Sequence, residues 1–256
     1  MEFIDTHTHL FVEQFDEDRD EVIEKALSDG ISKMLLPNID LESIDALHKL
    51  AKKYSENCIP MMGLHPCSVK ENWENDLKII KHNLFKERYC AVGEIGMDLY
   101  WDKSTKDIQA QAFSMQIEWA KELGLPIVIH VRDAFDEAFE VVDALNDDAL
   151  IGVFHCFTGN IDQANHIINY GGFKLGLGGV LTFKNSGVDK TVSQIDMQHF
   201  VLETDSPYLA PTPFRGKRNE SSYLTYVASK LAEVKGISIE EVAEITTQNA
   251  KELFQL

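Results

Sequence analysis

Basic residues are scarce. The 256 residues hold 24 Lys and Arg against 42 Asp and Glu, a formal charge of −18 at neutral pH. Proteins that coat nucleic acid carry basic surfaces, so that class is excluded. A small phosphate-handling site is not excluded, because screening confines charge effects to about 8 Å and local charge decides what a pocket attracts. Long apolar runs are also missing. None approaches the roughly 20 residues of a spanning helix, so no membrane partner is expected. The opening stretch MEFIDTHTHL lacks the basic and long apolar regions of a signal peptide, and the chain reads as cytoplasmic. Four scattered cysteines, Cys58, Cys67, Cys90 and Cys156, show no CxxC spacing and read as buried free thiols rather than a zinc cluster. There is no low-complexity tract and no Ser/Gly-rich linker. A single domain over residues 1–256 is expected, with no obligate protein partner evident.

What is present is alternation. Apolar runs at 3–10, 33–39, 58–66, 90–98, 126–131, 151–157, 173–181 and 200–205 read as strands. Helical candidates fall at 16–29, 41–54, 74–87, 105–123, 133–146, 161–170, 187–195, 219–235 and 239–254. Gly30, and Gly124 with Pro126, supply helix stops, and Asp133 and Asn160 are candidate N-caps. Near-continuous apolar strands alternating with helices predict a parallel sheet buried on both faces. Eight such units predict an α/β fold, a single (β/α)8 TIM-like barrel with an extra C-terminal helix. A doubly wound open sheet is the alternative. It would want a Gly-rich turn after the first strand, where this chain has THTHLFVE.

Ionisable residues gather at the ends of the runs. Alternate residues of a strand share a face, so Asp5, His7 and His9 point one way if 3–9 is extended. His65 ends GLHP, Glu94 stands in VGEIG, His130 ends IVIH, His155 ends VFH and Asp205 ends LETD. In a (β/α)8 barrel these ends converge on one face, where catalytic residues collect. A lone strand-end histidine is more often a hydrogen-bonded structural residue, but five of nine histidines sit this way. Imidazoles with carboxylates suit divalent ions such as Zn, Mg or Mn. Two such ions would polarise a scissile group and generate hydroxide at neutral pH. Asp5 sits deeper, as a support for a histidine or a buried hydrogen-bonder. Arg132 follows His130 by two, and its fork suits phosphate; a salt bridge is the alternative. Arg215, Lys217 and Arg218 form a basic cluster after the last strand that reads as a phosphate grip or as a solvated loop. Tyr100 and Trp101 offer base stacking or loop packing.

The stretches DTHTHL, GLHP, GEIGMDLYW, IHVRDA, FHCFTG and ETDSPYLAP…RGKRNE, in this order, resemble the TatD family of metal-dependent hydrolases, in the amidohydrolase superfamily. The resemblance runs essentially the whole chain. It implies a TIM-like barrel, two divalent metal ions and deoxyribonuclease activity of 3′–5′ exonuclease type. It implies that His7, His9 and Asp205 hold one metal, that Glu94 bridges, and that His130 and His155 hold the other. It implies that His65 and Arg132 contact the substrate phosphate. Phe214 and Ser221 stand where many members have His and Pro, which bears on substrate preference. The expected function is hydrolysis of DNA phosphodiester bonds, with Asp205 and Glu94 catalytic and Arg132, His65, Arg215, Lys217 and Arg218 holding phosphates. The alternative is a metal-dependent hydrolase of an ester, lactone, amide or aminoacyl-tRNA bond. A non-catalytic metal-binding protein is the third reading, and the filled ligand positions speak against it.

Overall fold

The computed structural model describes all 256 residues. Its eight strands are β1 (Phe3–Asp5), β2 (Ile31–Leu36), β3 (Cys58–Pro60), β4 (Val92–Asp98), β5 (Ile127–Arg132), β6 (Gly152–Phe154), β7 (Phe173–Leu177) and β8 (Phe200–Leu202). A helix follows each: α1 (Arg19–Ser28), α2 (Ile44–Lys53), α3 (Trp73–Lys86), α4 (Lys106–Leu123), α5 (Phe135–Leu145), α6 (Ile161–Asn169), α7 (Val188–Val192) and α8 (Leu224–Lys235). An additional helix, α9 (Ile239–Phe254), ends the chain.

All neighbouring strands pair in parallel, β1 to β3 as one ladder and β4 to β8 as another. Both seams are bridged. Gly93 N–H donates to the Met62 carbonyl and Cys90 N–H to the Pro60 carbonyl, each at 3.1 Å. On the other side Thr6 N–H donates to the Leu202 carbonyl at 3.0 Å, and Thr8 pairs with Ser206. The strands thus enclose a TIM-like barrel, and their backbone polar groups find partners across the seams.

Two apolar layers follow from the period of the strands. The outer faces pack with the helices into a core of 59 buried residues. The inner faces supply a second cluster that includes Ile4, Leu35, Met61, Val128, Val153 and Val201. Ala250, Leu253 and Phe254 of α9 join this inner cluster, so the extra helix closes the N-terminal end of the barrel. The inward register then continues upward. On β5 it reads Val128, His130, Arg132; past β6 it reads Val153, His155; past β8 it reads Val201, Glu203, Asp205. A floor of valines therefore sits directly beneath ionisable side chains.

The expected elements are all present, with shifted ends. The strands stop early, so His7, His9, His65, His155 and Asp205 stand just past the paired residues rather than within them. Asn160 caps α6 in a reciprocal box with Gln163, at 3.0 and 2.9 Å. Gly124 ends α4 in the left-handed region at φ 64°. Asp133 does not cap α5: Ala134 is the N-cap, and Asp133 itself turns at φ 52°. The four thiols are free, with Cys58 and Cys90 buried and Cys67 and Cys156 half-buried. No helix is long and apolar enough to cross a membrane.

Candidate metal centre

Glu94 is the hub. Its carboxylate is 2% exposed and faces five imidazoles, with its two oxygens turned to different groups. Oε2 lies 3.2 Å from His7 Nε2 and 3.6 Å from His9 Nε2. Asp205 Oδ1 completes that side, 3.8 Å from His7 Nε2 and 3.5 Å from His9 Nε2. Oε1 lies 2.9 Å from His130 Nδ1, 2.9 Å from His155 Nε2 and 3.4 Å from His65 Nε2. Backbone close approach sets up this convergence. Gly96, at φ 137°, lies so near the His130 carbonyl that a Cβ would collide with it.

The donors fit metal ions. Four ligand atoms about 2.1 Å from one ion in a tetrahedral array stand roughly 3.4 Å from each other. Among His7, His9, Glu94 and Asp205, the His–His and His–carboxylate separations run from 3.2 to 3.8 Å. The Glu94–His130–His155 edges are 2.9, 2.9 and 3.4 Å. Burying this many ionisable groups without a cation is costly, and no Lys or Arg enters either cage to offset it. Three groups whose donor atoms converge, His7–His9–Glu94, His7–His155–Glu203 and His65–Glu94–His130, combine nitrogen and oxygen donors of the kind that binds first-row divalent ions.

Electrostatics agree with carboxylates held ready to ligate. Burial alone would raise the Glu94 carboxyl, but the neighbouring imidazoles His155, His65 and His7 and the His130 hydrogen bond outweigh it and hold it well below the ordinary range. Asp205 is likewise held low: burial opposes, and His9, His155 and His7 prevail. Burial would lower the His155 imidazole, yet Glu94 and Glu203 raise it well above its usual value.

The rings are oriented from behind. His130 Nε2 meets Asp98 Oδ2 at 2.9 Å while its Nδ1 faces Glu94, the carboxylate–histidine arrangement that fixes a ligating tautomer. Burial opposes the low value of Asp98, but the His130 contact holds it at about 2. His155 Nδ1 has Glu203 Oε1 at 3.4 Å, off the hydrogen-bond line, and the same oxygen accepts from Cys156 N–H. Glu203 is fully buried in space that Gly176 leaves open, where a Cβ would strike Glu203 Oε2. Neither Asp98 nor Glu203 stands among the residues singled out from the sequence. The signal was present: both are carboxylates inside otherwise apolar strand ends, EIGMD and FVLETD.

His65 is built differently. Its Nδ1 accepts the Cys67 backbone N–H at 3.0 Å, so the ring proton belongs on Nε2. A neutral ring in that tautomer offers a donor, not a lone pair, toward Glu94 and the space above it. Asp5 does not reach a histidine ring. Its carboxylate accepts from Thr204 N–H at 2.9 Å and Thr204 Oγ1 at 2.6 Å, tying the first strand to the turn that presents Asp205. Burial pushes the Asp5 carboxyl up to about 7, against those hydrogen bonds.

The donors open into a cavity of about 720 Å³ whose wall includes Arg132, Trp101, Val180, Tyr208 and Leu209. Arg132 makes none of the salt bridges that were its alternative reading; its guanidinium lies 3.7 Å from the Tyr100 ring centre. The basic cluster after β8 divides. Arg215 stacks over Phe183 at 4.0 Å, and Lys217 lies 6.0 Å from the Phe214 ring. Arg218 is turned away from the cavity: it clasps Asp18 at 2.7 and 2.6 Å and donates to the Gln14 carbonyl at 2.8 Å. Arg218, expected to contact phosphate, is here paired with Asp18, α1's N-cap residue.

A parallel barrel with buried imidazoles and carboxylates at its C-terminal mouth is an architecture suited to a metal-dependent hydrolase. Comparison with known proteins makes this specific: residues 4–255 match the family model described as TatD related DNase, and the chain belongs to that family. It is 42% identical over 253 residues to an uncharacterized metal-dependent hydrolase, YabD, of Bacillus subtilis, covering 98% of each chain. It is 29% identical over 259 residues to the 3′-5′ ssDNA/RNA exonuclease TatD of Pectobacterium parmentieri, covering 98% of this chain and 99% of that one. The crystal structure of the TatD homolog YjjV from Escherichia coli superposes with a TM-score of 0.93 at 27% identity, over 99% of this chain and 98% of that one.

Proposed function

We propose that the protein is a 3′–5′ exonuclease that hydrolyses phosphodiester bonds of single-stranded DNA with two divalent ions. The observation that carries this reading is the split carboxylate of Glu94, one oxygen toward His7 and His9 and the other toward His130 and His155, at the floor of a cavity walled by Arg132. His7, His9 and Asp205 would hold one ion, His130 and His155 the other, with Glu94 shared. Bound there, the ions would supply Lewis acidity toward a phosphoryl oxygen and toward water.

The chain's own groups do the rest. Arg132 forks the two non-bridging phosphate oxygens, and His65 Nε2–H donates to one of them. Asp205 orients the attacking water and takes its proton. Water attacks phosphorus, the bond from phosphorus to O3′ breaks, and the departing O3′ collects the proton from Asp205. The products are a 5′-mononucleotide and a strand one residue shorter with a free 3′-hydroxyl. Arg215 and Lys217, on the loop after β8, extend the phosphate grip along the strand. The acidic remainder of the surface suits trimming of ends over coating of duplexes.

A carbonyl substrate such as an ester, lactone or amide would call on the same donors but not on Arg132. The test is digestion of a 5′-labelled single-stranded oligodeoxynucleotide with Mg, Mn or Zn. Stepwise shortening from the 3′ end, abolished by chelator, is expected. No nucleotide release, alongside turnover of an ester or lactone panel, would replace this reading with the carbonyl one.

A further inference from the structure

The mouth of the cavity carries more apolar surface than a metal site requires. Trp101 is 72% exposed and Tyr100 51% exposed, while the other two tryptophans, Trp73 and Trp119, are buried to 8% and 6%. Trp101 is therefore not buried by its loop. It stands in the cavity wall with Glu94, His130 and Asp205. Tyr100 and Trp101 meet edge to face, with ring centres 4.8 Å apart and planes at 88°. The Tyr100 face is covered by the Arg132 guanidinium at 3.7 Å, and that guanidinium lies 5.4 Å from the Trp101 ring centre. Tyr100 is anchored in turn, because its N–H donates to Asp98 at 3.0 Å, the carboxylate that also holds His130.

From this arrangement we infer a nucleobase subsite: the indole face of Trp101 stacks the base of the nucleotide whose phosphate Arg132 holds. The inference rests on the nuclease reading and names what that site selects. An exposed indole beside a cation with free N–H donors matches a ligand that is apolar and flat at one end and anionic at the other. Nucleotides have that form, and sequence-tolerant single-strand binding combines cationic contacts with aromatic stacking. Tyr208 and Leu209, 47% and 42% exposed, line the same cavity from the loop after β8. A base must leave its duplex stack to reach the indole, so the subsite favours single strands and frayed ends. Stacking on a base face discriminates little between DNA and RNA.

The test pairs binding with cleavage in the metal-loaded protein. Calorimetry compares deoxyadenosine 5′-monophosphate with 2-deoxyribose 5-phosphate, which lacks the base. Wild type is expected to bind the nucleotide about tenfold more tightly or better, the scale of one stacked base. Trp101→Ala should bring the two affinities together, and Trp101→Phe should keep most of the gap. In parallel, 3′–5′ digestion is measured on an oligonucleotide with a normal or an abasic 3′-terminal residue. The base-bearing end is expected to show the lower KM, and Trp101→Ala to erase the difference. If Trp101→Ala keeps the full preference for a base, or if wild type shows none, the subsite is overturned even though cleavage proceeds. If nucleotide binding shows the Trp101-dependent preference and no oligonucleotide is cut, the nuclease reading fails and the nucleotide subsite stands.

Discussion

On β5, and beyond β6 and β8, each inward-facing column starts with valine and ends in an ionisable side chain: Val128 then His130, Val153 then His155, Val201 then Glu203 and Asp205. The two ends of one barrel thus do opposite work. The N-terminal end is an apolar plug, sealed by Leu253 and Phe254 of α9. The C-terminal end is a buried polar cage whose backbone is bent to fit. Four of the five non-glycine residues with positive φ, Asp133, Cys156, Asp205 and Leu209, stand in the loops around that mouth. Left-handed backbone at such residues is tolerated where the surroundings over-determine it, and it collects at functional sites. The plug is built from apolar side chains; the cage gathers the candidate metal donors.

That division can be broken most strongly at Glu94. Glu94→Gln keeps the shape and removes the shared charge; kcat/KM for phosphodiester hydrolysis should fall by about 10³ or more, ~4 kcal/mol of lost transition-state stabilisation. Next comes the opposite end. Phe254→Ala should lower folding stability by about 3–4 kcal/mol, read as a fall in Tm of roughly 10 °C, while metal affinity stays as in the parent. Loss of metal affinity in Phe254→Ala would show that the two ends are not separable. Asp98→Asn tests the layer behind the cage. Removing the charge behind His130 should weaken binding of one ion by about 10–100-fold, measured by competition with a chelator.

The smallest effect belongs to the outer surface. Arg218 and Asp18 are about one-third exposed, so Arg218→Ala should cost about 1 kcal/mol or less and leave nuclease turnover intact. The Arg218 guanidinium holds the Asp18 carboxyl below its ordinary value. A depressed carboxylate contributes stability above the unfolded value near pH 4 and loses it as pH falls through the native one. Denaturant melts of parent and variant should therefore differ at pH 7 and converge as pH falls through the depressed native value. A drop in turnover for Arg218→Ala would return this residue to the phosphate grip.

Strand-and-helix alternation and the stop signals at Gly30 and Gly124 made the barrel legible in the sequence. The candidate donors were legible too, because they stand at or just past the ends of apolar runs; period-two spacing alone would not place them, since the register shifts on β1 and β4. Distances between chain-remote groups are not written that way. Asp98 behind His130 and Glu203 behind His155 needed the packed sheet to be seen. The 200-residue reach from Arg218 to Asp18 is a matter of how α1 meets the loop after β8, and no local pattern encodes it. The DTHTHL stretch shows both sides of this. Its alternation identified His7 and His9, but only the fold shows that Asp5 belongs to Thr204.

Metal stoichiometry tests the central claim most directly. Chelator-stripped protein is titrated with Mn²⁺ or Zn²⁺ by calorimetry, alongside Glu94→Gln. Two equivalents should bind to the parent protein, and the single substitution should weaken both, because one carboxylate serves both cages. A single equivalent in the parent, or two sites unchanged in Glu94→Gln, would contradict the account.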